Sequence, residues 1–118
     1  MAKGRYILLY LNDISESIEK IESYISDIAE HEFIADQEKP NAVIRRLEII
    51  GEAVKKIPEN VKDQYPTVPW RQIAGLRDVV IHEYFGVSPA LIYKTATTDL
   101  IDLKITIQRI IDDTSKKN

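Results

Sequence analysis

Apolar side chains recur along this chain at alternating three- and four-residue steps in three separate stretches, and polar residues fill the positions between them. The first stripe is Leu11, Ile14, Ile18, Ile21, Ile25 and Ile28. With no proline from about Arg5 to Phe33, this spacing predicts one long amphipathic helix over that span. Ile7 to Leu11 is apolar nearly all round, so its opening turns are expected to touch neighbours on two sides. Asp36 to Asn41 breaks the pattern, and Val43, Leu47, Ile50, Val54 and Ile57 then define a second helix running to about Ile57. Gly51 and Gly75 fall inside helical stretches, where glycine costs about 1 kcal/mol against alanine. A close helical neighbour would account for each.

Pro58, Pro66 and Pro69 punctuate the next segment. Glu59 to Gln64 has the makings of one helical turn behind Pro58, and Tyr65 to Pro69 is expected to be extended, because residues before proline avoid the helical region. Trp70, Ile73, Ala74, Leu76, Val80 and Ile81 then form one side of a shorter helix, from about Trp70 to Tyr84, that Gly86 ends. Ser88 and Pro89 open the last helix as cap and first residue, and its stripe is Tyr93, Ala96, Leu100, Leu103, Ile107 and Ile110. Residues 112–118 read as a polar tail expected to fray. No stretch alternates with period two. The pattern predicts an all-α, antiparallel helical bundle with four main helices and a short helical turn, forming one domain over residues 1–118.

Composition narrows this picture. With no cysteine and two histidines among 118 residues, disulfides, thiolate metal sites and a histidine-rich metal centre are excluded, and a reducing, cytoplasmic setting fits. The apolar opening is too short for a membrane span and has no secretory cleavage pattern. The net charge of −3 argues against binding nucleic acid by bulk electrostatics. That charge is uneven: residues 1–36 carry three Lys/Arg against eight Asp/Glu, whereas residues 37–118 carry thirteen against eleven. A local groove for RNA is compatible with the second part, as is a surface that binds none.

Candidate chemistry concentrates in Arg77-Asp78-Val79-Val80-Ile81-His82-Glu83-Tyr84. At about 100° per residue, Asp78 and His82 share one helix face, Arg77 and Tyr84 share another, and Arg77 stands about 140° from His82. A fixed cation, an imidazole with a carboxylate beside it and a phenol suit the handling of a phosphodiester: guanidinium grips phosphate, and imidazole moves protons. Each residue also has an ordinary reading. Arg77 can be a surface cation, Asp78 and His82 a helix ion pair, and Tyr84 a packed aromatic with a wet hydroxyl. His31 has no partner spacing around it and reads as a surface histidine.

The spacing R-x4-H-x-Y resembles the active-site motif of HEPN-domain ribonucleases, specifically the HepT-like (DUF86) toxins of toxin–antitoxin pairs. Ala42 to Ala53 is similar to the second-helix signature of that family, and Trp70 to Leu76 to its lead-in, so the resemblance extends over most of the chain. It implies metal-independent RNA cleavage with no cofactor. His82 would act in acid–base chemistry as a ribose 2′-hydroxyl attacks phosphorus, and Arg77 would stabilise charge on the phosphoryl oxygens. Asp78 would support His82, and Glu52 would pack towards the site as a positioning acid. The resemblance also implies a homodimer, which would supply two histidines to one groove. It further implies a partner, an MNT-type nucleotidyltransferase antitoxin, that transfers AMP to Tyr84. Asp78 stands where many relatives carry asparagine. Two other classes fit the same residues: a non-catalytic, nucleotide-binding helical partner of a nucleotidyltransferase, and a structural bundle that oligomerises through its apolar stripes.

Overall fold

The computed structural model describes residues 2–75 and 89–117, and among them every regular element is helical. Helix α1 (Ala2–Ile25) leads through a turn to the short α2 (Glu30–Ala35), and α3 (Lys39–Lys56) runs back along α1. One turn, α4 (Glu59–Lys62), precedes α5, whose described part is residues 70–75. Helix α6 (Pro89–Lys94) passes through a π-helical turn (Thr95–Asp99) into α7 (Leu100–Lys117). The all-helical bundle expected from the periodicity is therefore what forms.

The core lies where the stripes meet. Leu11, Ile14, Ile18 and Ile21 of α1 are buried against Val43, Leu47, Ile50 and Val54 of α3 and Leu100, Leu103, Ile107 and Ile110 of α7. Helix α1 is the central element, packing most extensively on α3 and next on α7. Both neighbours run antiparallel to it: Lys56 near the end of α3 sits 5.7 Å from the Tyr10 ring, and Lys104 near the start of α7 pairs with Glu22 at 3.0 Å. The isoleucine stripe of α1 is thus committed to the core and is not available as an oligomer surface. The side chains left out of the core lie elsewhere, at Tyr6, Leu9, Ile34, Leu91, Ile101 and Ile105.

Four local expectations need correction. First, the helix predicted through Phe33 stops at Ile25. Ser26 bonds back to the Ser23 carbonyl, and Ala29 turns extended, with its N–H donating to the Glu32 carboxylate at 3.2 Å. Serine and aspartate offer the backbone such local alternatives to the helix ladder. The break lets Phe33 fold into the core, where its ring lies 5.3 Å from that of Tyr93, and the Tyr93 hydroxyl donates to the Ile28 carbonyl at 3.2 Å. Second, Tyr65 to Pro69 is not extended. The Val68 N–H bonds to the Tyr65 carbonyl at 3.2 Å, closing a turn with Pro66 at its second position, where a fixed φ is favourable.

Third, the final helix is not uniform. Thr95 and Thr97 donate to the Leu91 and Tyr93 carbonyls at 3.0 and 2.8 Å, competing for acceptors in the stretch where the π-turn inserts a residue. Fourth, the tail stays helical to Lys117, and Asp113 within it accepts a 2.6 Å hydrogen bond from the Tyr65 hydroxyl. Gly51 is buried within α3, as a close approach requires. At Gly75, by contrast, an added Cβ would meet no atom within 4 Å among the described residues.

Candidate functional site

Arg77, Asp78, His82 and Tyr84 lie outside the described residues, and so does the proposed cap Ser88. What the structure describes is the frame from which that stretch departs and to which the chain returns. The departing end is anchored by Trp70. Its indole N–H is shared between the Lys62 carbonyl at 3.2 Å and the Tyr65 carbonyl at 3.1 Å. The Trp70 backbone N–H donates to the Val68 carbonyl at 2.8 Å, and Ile73 is buried in the core one turn on. Tyr65 ties the same connection to α7 through Asp113. Burial and that acidic partner push the Tyr65 phenol up to about 12, so it stays protonated and donating across the neutral range. The returning end begins at Pro89, and Ile92 is buried within the first turns of α6. Both ends are therefore fixed to the bundle by specific contacts.

Glu52, expected from the resemblance as a supporting acid, lies among the described residues. It is half-buried on α3 and lines a cleft of about 300 Å³ between α1 and α3. Tyr10 and Asp13 form one wall, with Arg45, Glu48 and Lys56 on the other. Arg45 and Glu48 approach to 3.6 Å, with the arginine side chain 71% exposed, so this pair adds little to stability. Three acids against two bases make the cleft a poor seat for phosphate by charge alone. Arg45 is exposed, as a solvated helix face predicts, while Arg46 and Glu48 are half-buried. His31 is exposed. Among the described residues no group of three His, Cys, Asp or Glu is placed to hold a metal, and no helix is long and apolar enough to cross a membrane.

Sequence reasoning did not find the contacts that hold this frame. Tyr65 and Asp113 are 48 positions apart, and no periodicity links them. Trp70 was legible as the lead residue of the site helix, but not as a donor reaching back to two carbonyls. The Thr95-Ala96-Thr97-Thr98 run was the available signal for the irregular turn.

Residues 14–110 match the family model described as Ribonuclease HepT-like, and the chain belongs to that family. It is 47% identical over 95 residues to a protein of Thermococcus cleftensis named "Probable ribonuclease HepT", covering 80% of this chain and 86% of that one. It is 40% identical over 113 residues to a Methanocaldococcus jannaschii protein named a "Putative RNase", covering 96% of this chain and 97% of the other. A second protein of that organism, named as a gamma-glutamylcyclotransferase and putative RNase, is 41% identical over 110 residues, and the match spans 93% of this chain but 50% of that longer protein. No solved structure gives a significant match.

Proposed function

We propose that this protein is a metal-independent endoribonuclease, the toxin of a toxin–antitoxin pair, and that its site is the R-x4-H-x-Y stretch. The observation that carries the reading is the coincidence of Arg77, His82 and Tyr84 at that spacing within a chain of the HepT-like family. The names of its relatives point the same way.

The chemistry follows from the residue types. A neutral His82 imidazole takes the proton of a ribose 2′-hydroxyl as that oxygen bonds to the adjacent phosphorus. The phosphorus–O5′ bond breaks, and a protonated imidazole returns a proton to the leaving oxygen. The products are a 2′,3′-cyclic phosphate and a 5′-hydroxyl. Arg77, charged at any working pH, stabilises the charge gathering on the phosphoryl oxygens. One imidazole cannot be base and acid in the same instant, so two copies of the site facing one groove in a homodimer complete the set. Asp78, four residues before His82, orients the ring and favours its charged form. Glu52 serves as a positioning acid from α3.

Control is exerted at Tyr84. A nucleotidyltransferase antitoxin joins the tyrosine oxygen to the α-phosphorus of ATP and releases pyrophosphate. The AMP left behind adds negative charge and bulk where RNA must enter.

The test is cleavage of single-stranded RNA by unmodified protein in EDTA, beside Arg77→Ala, His82→Ala and Tyr84→Phe. Cleavage should survive chelation, fall by about a hundredfold or more in the first two variants, and persist in the third, which can no longer accept AMP. Intact, folded protein that cuts none of several RNAs would overturn the reading.

A further inference from the structure

A cleft of about 420 Å³ opens beside the start of α5. Pro66, Trp70 and Ala74 give it apolar lining, and Glu59, Lys62, Asp63 and Arg71 supply its charge. Trp70 is the chain's one tryptophan, and it is partly exposed. Its indole N–H is already shared between the Lys62 and Tyr65 carbonyls, which holds the ring in place and leaves no donor to be orphaned when something stacks on it. Ala74, four residues on, shares its helix face. Glu59 approaches Lys62 to 3.7 Å, and the lysine side chain is only 12% exposed, so these two charges largely answer each other. Arg71 and Asp63 are exposed, and neither side chain makes an ion pair or hydrogen bond among the described residues. The cleft thus offers a held aromatic ring together with one uncommitted guanidinium and one uncommitted carboxylate.

We infer that this cleft takes one unpaired base of single-stranded RNA. The base stacks on Trp70, the Arg71 guanidinium meets the neighbouring phosphate, and Asp63 accepts a hydrogen bond from an amino group on the base. The inference takes its ligand from the ribonuclease reading and adds a subsite to it. Stacking suits a chain whose net charge of −3 gives RNA little bulk attraction, because a base offers its ring face whatever the charge around it. Position suits it too. Arg77 is seven residues beyond Trp70, so on the helix that the spacing predicts it stands on the same face, about 10 Å along the axis. A base held at Trp70 would therefore belong to a nucleotide close to the phosphate that is cut.

The probe is a short single-stranded RNA carrying 2′-O-methyl groups, which blocks attack by its own 2′-oxygen. The readout is the emission of Trp70, which no other tryptophan obscures. Saturating RNA should quench that emission and shield it from acrylamide. A sugar–phosphate chain without bases should bind about tenfold more weakly or worse. Arg71→Ala should weaken binding by about fivefold, while Arg45→Ala, an exposed arginine in the cleft between α1 and α3, should leave it unchanged. Oligocytidine should bind more tightly than oligouridine, which has no amino group, and Asp63→Ala should remove that preference. Binding that leaves Trp70 emission unchanged would overturn the subsite, and so would equal affinity for the baseless chain or equal loss in the two arginine variants. Equal quenching by AMP at the same concentration would replace it with a mononucleotide site. If unmethylated RNA is cut while Trp70 does not respond, only the subsite falls. If Trp70 responds and nothing is cut, the subsite stands and the ribonuclease reading falls.

Discussion

The α1–α3 hairpin and the connection from Pro58 to Trp70 are held together by different physics. In the hairpin, stability is distributed: a stripe of isoleucines and valines at helical spacing is buried along its whole length, and each side chain contributes through area removed from water. In the connection, stability is concentrated in a few directional bonds, chiefly Tyr65 to Asp113 and the Trp70 indole to two carbonyls. The first kind of region tolerates the loss of any one polar residue. The second positions the start of α5 and depends on single atoms.

Truncation in the stripe should have the largest effect. Ile18 is 1% exposed at the centre of α1, and Ile18→Ala should lower unfolding free energy in urea by about 2–5 kcal/mol through lost transfer energy and the cavity left behind. A loss below about 1 kcal/mol would mean that α1 is not the central packing element.

Tyr65→Phe should cost less, about 1.5–3 kcal/mol, because one hydrogen bond to a charged carboxylate is lost while the ring remains. It also has a pH signature. The phenol is pushed up to about 12 in the folded protein, against about 10 unfolded, so the folded state holds its proton more tightly. Its stabilising contribution is therefore complete below about pH 10 and is lost as pH rises towards 12. Thermal melts across that window should fall more steeply for the parent than for Tyr65→Phe. Equal slopes would show that the Asp113 bond does not form in solution.

The smallest effect belongs to Asp36. Its carboxylate accepts the backbone amides of Lys39 and Glu38 at 2.9 and 2.8 Å, and these bonds hold its pKa below the ordinary value. The contribution is present above that ordinary value and fades as pH falls through the lowered one. Asp36→Ala should reduce stability slightly at neutral pH and by a smaller amount at about pH 3. A reduction of the same size at both would contradict the assignment.

The same contrast explains what could be read from residues alone. Buried stripes announce themselves by spacing, and so Leu11 to Ile21, Val43 to Ile57 and Ala96 to Ile110 all proved to face the core. The break at Ser26 to Ala29 did not, because Ile25 and Ile28 continue the period while the backbone between them turns, in a choice decided by Phe33 and Tyr93 from another part of the chain. The π-turn leaves the apolar period almost intact and is decided by threonine hydroxyls. Tyr65 and Asp113 are ordinary surface residues until folding brings them to 2.6 Å. Of the proposed site, Glu52 was singled out only by the family-like segment it falls in; its half-burial and the cleft beside it became visible once α1 was set against α3. Arg77, Asp78, His82 and Tyr84 were legible as a spacing with chemical sense, which the family match supports as a reading and the described frame leaves to experiment.

The most direct test of the central claim is the chemistry of the cut ends. RNA incubated in EDTA with unmodified protein should carry 2′,3′-cyclic phosphate and 5′-hydroxyl termini, and His82→Ala should abolish both while retaining the helical circular dichroism of the parent. Termini with 5′-phosphate and 3′-hydroxyl, or unchanged cleavage by folded His82→Ala, would contradict it.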